Sequence, residues 1–334
     1  MRCLVYAMFT LEPLTILCST VNKNKYCVNI SVVWYKFTMQ RRSSDRSDVE
    51  FSENHYIEYR PGTLNVILSV PHGGHLKPKH LPNRDFGKLV DGRRVFDHKY
   101  PKDHSVTVRT KADKFTKELA TSLANVLEKK TGRRPHVIIN HLHRLKLDCN
   151  CSQSEATFGV TEVVDAWKSY HRFIELAKKN IGKAGLYLDI HGHSHGENWI
   201  ELGYLVPGRK LDTGDYNASE TSIRKLHEKL LSNGHHITIQ QLVSGPHSFG
   251  GLLSAIDGYS DIVVPSPRHP GPDAGQYFRG GFNVLRHGSR NEDGNEIDGI
   301  QIESPICRRM PAEREKYAEA VGCAVVEFLQ LYYS

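Results

Sequence analysis

The stretch "TLNVILSVPHGG", residues 63–74, changes abruptly from apolar side chains to small and polar ones. Its first part, 63–70, is short, apolar and β-branched, which is typical of a strand buried on both faces. The strand ends at Pro71, and His72 is followed at once by two glycines, which let the backbone turn and another group approach it. The pattern predicts a buried strand with a histidine at its carboxyl end.

Strands and helices alternate along the rest of the chain. Apolar or alternating runs predict further strands at 135–140, 185–193, 199–206, 261–267, 280–289 and 297–305. Amphipathic runs predict helices at 110–130, 161–179 with Thr161 as N-cap, 219–234 and 311–333. This order predicts an α/β fold with a parallel or mixed sheet that is covered by helices on both faces.

The composition is that of an ordinary globular protein. The chain has 334 residues, a net charge of +7, 39% hydrophobic and 24% charged residues, which is enough for a large core. Residues 40–53 are charged and rich in serine, as in a flexible linker. We therefore expect a poorly ordered N-terminal extension at 1–52 and a single domain at 53–334.

Several classes of partner are disfavoured. There is no basic stripe with interleaved aromatic residues, so we expect no nucleic acid partner. The apolar N-terminal stretch is interrupted by Glu12 and Pro13, which makes it a poor signal peptide and too short for a membrane span. The seven cysteines form no CxxC pair, which favours a reducing compartment. We expect a cytoplasmic protein with a small-molecule substrate, with secretion as the alternative, and the sequence predicts no oligomeric state.

Polar residues lie at or just after the carboxyl ends of three of the predicted strands, at the edge of the sheet where ligands bind in such folds. The residues are His72, the "DIHGHSH" group Asp189, His191, His193 and His195, and Glu303. Two histidines and a carboxylate around zinc, with an open position for water, form a recurrent hydrolytic site. A further carboxylate can then take the proton of the water and give it to a leaving amine.

Each cluster also has a purely structural interpretation. His72 could be a turn residue, the histidines of 191–195 a solvated loop, and Glu303 an ion-pair partner or helix cap. The segment "LKLDCN", 145–150, reads as a turn on sequence alone, and Arg144 as a surface charge. The recurrence of polar residues at strand ends nevertheless favours a shared site.

These residues resemble those of the N-formylglutamate amidohydrolase family, in particular a eukaryotic-type branch. The matching pieces run in order over roughly residues 63 to 309: "SVPHGG", "DKFTKELA", "VIINHLHRLKLDCN", "LDIHGHSH" with "ELGY", and "HGSR" before "IQIESP". The resemblance implies a three-layer, zinc-carboxypeptidase-like fold of the phosphorylase/hydrolase type. It also implies a metal-dependent amidohydrolase that cleaves the amide bond of an N-acyl amino acid such as N-formylglutamate.

The resemblance assigns roles to residues of this chain. His72, Asp113 and His191 would hold Zn2+, with Mn2+ or Fe2+ as alternatives, Glu303 would be general base and acid, and Arg144 would bind an oxyanion or a substrate carboxylate. Asp189 and Asp148 would support the ligands from behind. The implied substrate-binding residues are Asn150, His193, Arg279, Arg286 and His287.

One position departs from the family pattern. Cys151 stands where many members have an arginine after the aspartate–any–asparagine triplet. If that arginine binds a substrate carboxylate in the family, this chain lacks one of the contacts to it or uses another residue. A carboxypeptidase-like or deacylase activity on peptides or larger acyl groups, and a non-catalytic metal or ligand binder, are therefore the alternatives.

Overall fold

The computed structural model describes residues 49–85, 108–290 and 296–334, together with the backbone of two short strands between the first two ranges. The described residues belong to one compact unit, Ser47–Ser334. Of the predicted N-terminal extension, residues 1–48 lie outside the described residues. The described chain enters the sheet at Glu50.

Ten strands and ten α-helices are described. The strands are β1 Glu50–Phe51, β2 Ile57–Arg60, β3 Val66–Val70, β4 Lys88–Val90, β5 Arg93–Val95, β6 His136–Asn140, β7 Gly185–His193, β8 Ile200–Gly203, β9 Val263–Val264 and β10 Ile297–Pro305. The helices are α1 Thr116–Thr131, α2 Gln153–Thr157, α3 Thr161–Ile181, α4 Gly208–Thr213, α5 Arg224–Ser232, α6 Ile239–Ser244, α7 Phe249–Ser254, α8 Phe282–His287, α9 Ile306–Arg309 and α10 Pro311–Tyr332.

Eight of these strands form one mixed sheet in the order β1-β2-β6-β3-β7-β10-β8-β9. The four central strands β6, β3, β7 and β10 run parallel, whereas β2 and β8 join this core antiparallel on either side. β4 and β5 pair separately. Because the central strands are parallel, their carboxyl ends meet at one edge of the sheet.

Helices cover both faces of the sheet, so the predicted α/β fold class is confirmed. Leu186 and Leu188 of β7 pack with α1, α7 and α10 on one face, while Tyr187 between them packs with α3 on the other. This explains why β7 is apolar without alternation. Helix α1 ends at Thr131, one residue after the predicted end, and Gly132 follows in the left-handed conformation at φ 70°.

Two local predictions are wrong. The segment 280–289 contains the helix α8 and not a strand: Val284 and His287 are fully buried, whereas Leu285 between them is 46% exposed. That spacing of three is helical, and the apolar residues alone did not distinguish it from a strand. The N-cap of α3 is Val160, one residue before the predicted Thr161.

None of the helices in the described part of the chain combines the length and the apolar character needed to cross a membrane.

Candidate metal centre

Three segments bring polar side chains to the carboxyl edge of the parallel strands. His72 follows β3, His191 lies near the end of β7, and Glu303 lies near the end of β10. His191 and Glu303 are partners in the β7–β10 ladder, so their side chains share one face of the sheet. Asp113 precedes α1, and its backbone N–H donates to the carbonyl of His72 at 3.1 Å. The fold thus gathers residues that are far apart in the sequence.

His72, Asp113 and His191 converge closely enough to share one ion. Oδ2 of Asp113 lies 3.3 Å from Nδ1 of His72 and 3.1 Å from Nδ1 of His191. Two ligands bonded at zinc distances to a tetrahedral ion are about 3.3 Å apart. The imidazole planes meet at 73°, which lets the in-plane lone pairs of both rings point to a common position. This donor set therefore fits a divalent metal ion.

The outer nitrogen of each histidine is held by a second carboxylate. Nε2 of His72 lies 2.6 Å from Oδ1 of Asp148, and Nε2 of His191 lies 2.8 Å from Oδ2 of Asp189. With a metal ion bound, these contacts would hold the ring proton on Nε2 and leave the lone pair of Nδ1 for the ion. The two nitrogen lone pairs and the carboxylate oxygen would then all be acceptors, and the cation would offset their mutual repulsion.

The charges around His72, Asp113 and His191 favour a positive charge between these three side chains. Burial alone would raise the pKa of Asp113, but His72 and His191 outweigh it and hold that pKa well below its usual range. Burial alone would lower the pKa of His191, but Asp189 and Asp113 raise it well above its usual range. Both directions have the same cause, the mutual attraction of buried carboxylates and imidazoles, which favours the charged form of each.

Asp148 is the centre of a buried hydrogen-bond network, although its segment reads as a turn in the sequence. Besides His72, it accepts from Nε of Arg144 at 2.8 Å, Nη1 of Arg84 at 3.4 Å and the backbone N–H of Asn150 at 3.0 Å. Arg84 was missed by sequence reasoning, because its partner is 64 residues away. The network fixes Arg144 beside the cluster, where Nη1 lies 3.8 Å from Oδ1 of Asp113.

Glu303 is the carboxylate best placed beside the cluster without belonging to it. Its Oε1 lies 3.9 Å from Nδ1 of His191 and accepts a hydrogen bond from Nε2 of Gln301 at 3.0 Å. Burial raises the pKa of Glu303 to about 8, against the lowering effect of His191. A carboxylate with so high a proton affinity, next to a metal position, can accept and return a proton.

A cavity of ≈ 1610 Å³ opens over this centre. Its lining includes the predicted substrate-binding residues Asn150, His193 and Arg279. Basic side chains outnumber carboxylates in the described wall, the basic ones being Arg109, Lys111, Lys114, Arg144, Arg279 and Arg309. Arg309 was also missed by sequence reasoning; the signal available was its position four residues after the end of a strand that carries a candidate catalytic residue.

Two predicted substrate-binding residues, Arg286 and His287, are not brought to this cavity. The helical turn of α8 places the guanidinium of Arg286 over the ring of Trp167, 5.6 Å from its centroid, on an exposed surface. His287 is buried, and its two ring nitrogens contact His171 at 2.8 Å and Glu175 at 3.0 Å. Their partners lie on α3, away from the strand ends.

His193, His195 and Glu201 form a second group with ligand-type atoms. Nε2 of His195 is only 2.5 Å from Oε1 of Glu201, which is too short for two ligands of one tetrahedral ion, and this nitrogen has no hydrogen-bond partner among the described residues. The rings of His193 and His195 stack with their planes 14° apart, so their lone pairs cannot point at one position. The geometry of this group therefore fits one shared tetrahedral ion less well than that of His72, Asp113 and His191.

Comparison with known proteins gives similarity to solved structures only. No family model and no curated protein matches the chain. The gene product Atu2144 from Agrobacterium tumefaciens aligns with a TM-score of 0.44 and 13% identity, over 83% of this chain and 95% of that one. N-formylglutamate amidohydrolase from Ralstonia eutropha aligns with a TM-score of 0.42 and 11% identity, over 82% and 98%. The amidase AmiC2 of Nostoc punctiforme aligns with 0.29 and 15%, over 81% and 99%.

Proposed function

We propose that this protein is a metal-dependent hydrolase that cleaves the amide bond of an N-acyl amino acid such as N-formylglutamate. The observation that supports this most is the convergence of three buried acceptors, on His72, Asp113 and His191, with a carboxylate behind each imidazole. A zinc ion in this set would polarise the acyl carbonyl and make water acidic enough to attack near neutral pH.

The residues around the set divide the remaining chemistry. Glu303 takes the proton of the attacking water and gives it to the leaving amine, since its carboxylate is buried beside the cluster and carries a raised pKa. Arg144 faces the same space with its guanidinium held by Asp148, and it offsets the negative charge that develops on the acyl oxygen. Burial of both groups strengthens these interactions by excluding water.

The basic wall of the cavity supports an acidic substrate. Cys151 is half-buried, and its carbonyl accepts from the indole of Trp167 at 3.1 Å. The exposed guanidinium of Arg279 and the ammonium groups of Lys111 and Lys114 line the cavity and could take over the contact to a carboxylate. The absence of an arginine at 151 still favours, as a second candidate, a carboxypeptidase-like or deacylase activity on peptides or larger acyl groups.

The test begins with metal content and continues with turnover. Elemental analysis of the full-length protein, loaded with Zn2+, Mn2+ or Fe2+ and dialysed, should give one equivalent per chain. His72→Ala and His191→Ala should lose that equivalent, whereas His236→Ala, an exposed histidine between α5 and α6, should keep it. Full occupancy in both ligand variants would refute the proposed ligand set.

A substrate panel separates the candidate functions. Hydrolysis of N-formyl and N-acetyl amino acids, with preference for acidic ones, supports the first proposal, and hydrolysis confined to peptides or longer acyl groups supports the second. Metal bound without turnover of any substrate would identify a non-catalytic binder. Arg279→Gln should raise KM for acidic substrates more than for neutral ones if Arg279 contacts the carboxylate.

A further inference from the structure

Arg309, at the end of α9, is a buried guanidinium within the wall of the cavity. Only 2% of the residue is exposed. Burying such a charge is costly unless it is compensated. Its three hydrogen bonds, however, all go to neutral backbone carbonyls, and the carboxylates of Asp113 and Glu303 are the main negative charges acting on it. A buried cation held in this way calls for an explanation beyond packing.

The three carbonyls that Arg309 binds belong to segments next to the proposed metal ligands and Glu303. Nε donates to the carbonyl of Ser304 at 3.0 Å, Nη2 to that of His193 at 3.0 Å, and Nη1 to that of Lys114. Ser304 directly follows Glu303, Lys114 directly follows Asp113, and His193 lies two residues after His191. The side chain of Arg309 thus links the three backbone segments that carry the proposed ligands Asp113 and His191 and the proposed proton acceptor Glu303.

Gly192 makes this arrangement sterically possible. A Cβ atom at Gly192 would lie 2.2 Å from Cζ and 2.3 Å from Nε of Arg309, far inside contact distance. The guanidinium therefore lies directly on the backbone of β7 between His191 and His193. The φ angle of Gly192 is not in the left-handed region, so its backbone conformation does not require a glycine. The close approach of Arg309 does require one.

We propose that Arg309 is a positioning residue of the metal centre, which holds the backbone segments of Asp113, His191 and Glu303 in mutual register. This inference rests on the proposed function. Its chemistry is distinct from that of Arg144, because the described contacts of Arg309 go to the backbone and not to a ligand side chain.

Two substitutions displace the guanidinium in different ways. Arg309→Lys keeps the charge but cannot bridge three carbonyls with planar geometry. Gly192→Ala keeps the arginine but pushes it off the strand. Arg308→Lys is the matched control, since the neighbouring arginine contacts Glu313 at 3.7 Å and the ring of Tyr259 outside the cavity.

The full-length variants are compared in zinc affinity, by competition with a chromogenic chelator, in kcat and KM, and in thermal midpoint with and without zinc. Arg309→Lys and Gly192→Ala should weaken zinc binding and lower kcat about 10–100-fold, as loss of a group that orients metal ligands does. KM should change by less than about threefold, because substrate contacts are untouched. Arg308→Lys should match the wild type in all of these.

The outcomes separate this inference from the proposed function. A wild-type protein without bound metal or turnover would refute the proposed function. A wild type that binds zinc and turns over, with unchanged zinc affinity and kcat in both variants, would refute the role of Arg309 alone, even if both variants lose thermal stability. If Arg309→Lys yields too little folded protein, Gly192→Ala decides by the same criteria.

Discussion

Two histidine–carboxylate clusters share the strand β7 and the turn after it, and they differ in geometry. In the cluster of His72, Asp113 and His191, the imidazole planes meet at 73°, and Oδ2 of Asp113 lies 3.3 Å from Nδ1 of His72 and 3.1 Å from Nδ1 of His191. In the cluster of His193, His195 and Glu201, the rings stack at 3.8 Å, and nitrogen and oxygen approach to 2.5 Å.

The difference comes from what holds each ring from behind. Nε2 of His72 and Nε2 of His191 contact Asp148 and Asp189, so Nδ1 of both rings faces Oδ2 of Asp113. In contrast, His195 has a carboxylate oxygen near each ring nitrogen, Glu197 at 2.7 Å and Glu201 at 2.5 Å, and Nδ1 of His193 has no hydrogen-bond partner among the described residues. Residue types alone do not make a metal site; the direction of the lone pairs does.

The largest expected effect distinguishes the clusters directly. His191→Ala should abolish stoichiometric zinc binding and reduce amide hydrolysis by about 10³-fold or more, because Lewis acid catalysis is lost. His195→Ala, four residues further on, should keep one zinc per chain. Elemental analysis of the dialysed variants makes the comparison. Zinc loss in His195→Ala but not in His191→Ala would show that the second cluster, and not the first, binds the metal.

A second effect separates binding from chemistry inside the first cluster. Glu303→Gln should keep one zinc per chain while kcat falls about 10²–10⁴-fold, because the amide cannot accept the proton of the water. Steady-state kinetics on the zinc-loaded variant measure this. Near wild-type kcat would show that another group is the base.

A smaller effect tests the carboxylates behind the ligands. Asp148→Asn should weaken zinc affinity or activity about 10–100-fold, because the amide supports the Nε2 proton of His72 less strongly and releases Arg144. Chelator competition gives the affinity. Asp165→Asn, an exposed acid on α3, is the control and should have no effect.

The smallest effect belongs to the second cluster. Glu201 accepts from the indole of Trp199 at 3.0 Å and the backbone N–H of Phe278 at 2.6 Å, which ties β8 to the loop that carries Arg279. Glu201→Gln should lower the free energy of unfolding by about 1–3 kcal/mol through weakened buried hydrogen bonds, with zinc content unchanged. Urea denaturation measures the first quantity; loss of a metal equivalent would contradict our interpretation of this cluster.

The sequence predicted those parts of the fold whose pattern is local. The strands 185–193 and 297–305 coincide with β7 and β10, because buried strands carry apolar residues on both faces and the polar residues of the site come towards their carboxyl ends. The segment 280–289 was misjudged because a six-residue helix offers too few residues for its period to appear.

Contacts between the site and residues far away in the sequence were harder to predict. Asp148 reaches His72 across 76 residues, and Arg309 reaches His193 across 116. Such pairs depend on the register of parallel strands and the entry of helices, which periodicity does not encode. The histidines themselves were visible because each lies at the carboxyl end of an apolar run.

The most direct test of the central claim is a crystal structure of the zinc-loaded protein with anomalous diffraction at the zinc edge. We predict one strong peak, about 2.0–2.2 Å from Nδ1 of His72, from Nδ1 of His191 and from a carboxylate oxygen of Asp113. A peak between His193, His195 and Glu201, or full occupancy elsewhere with the first cluster empty, would contradict the account.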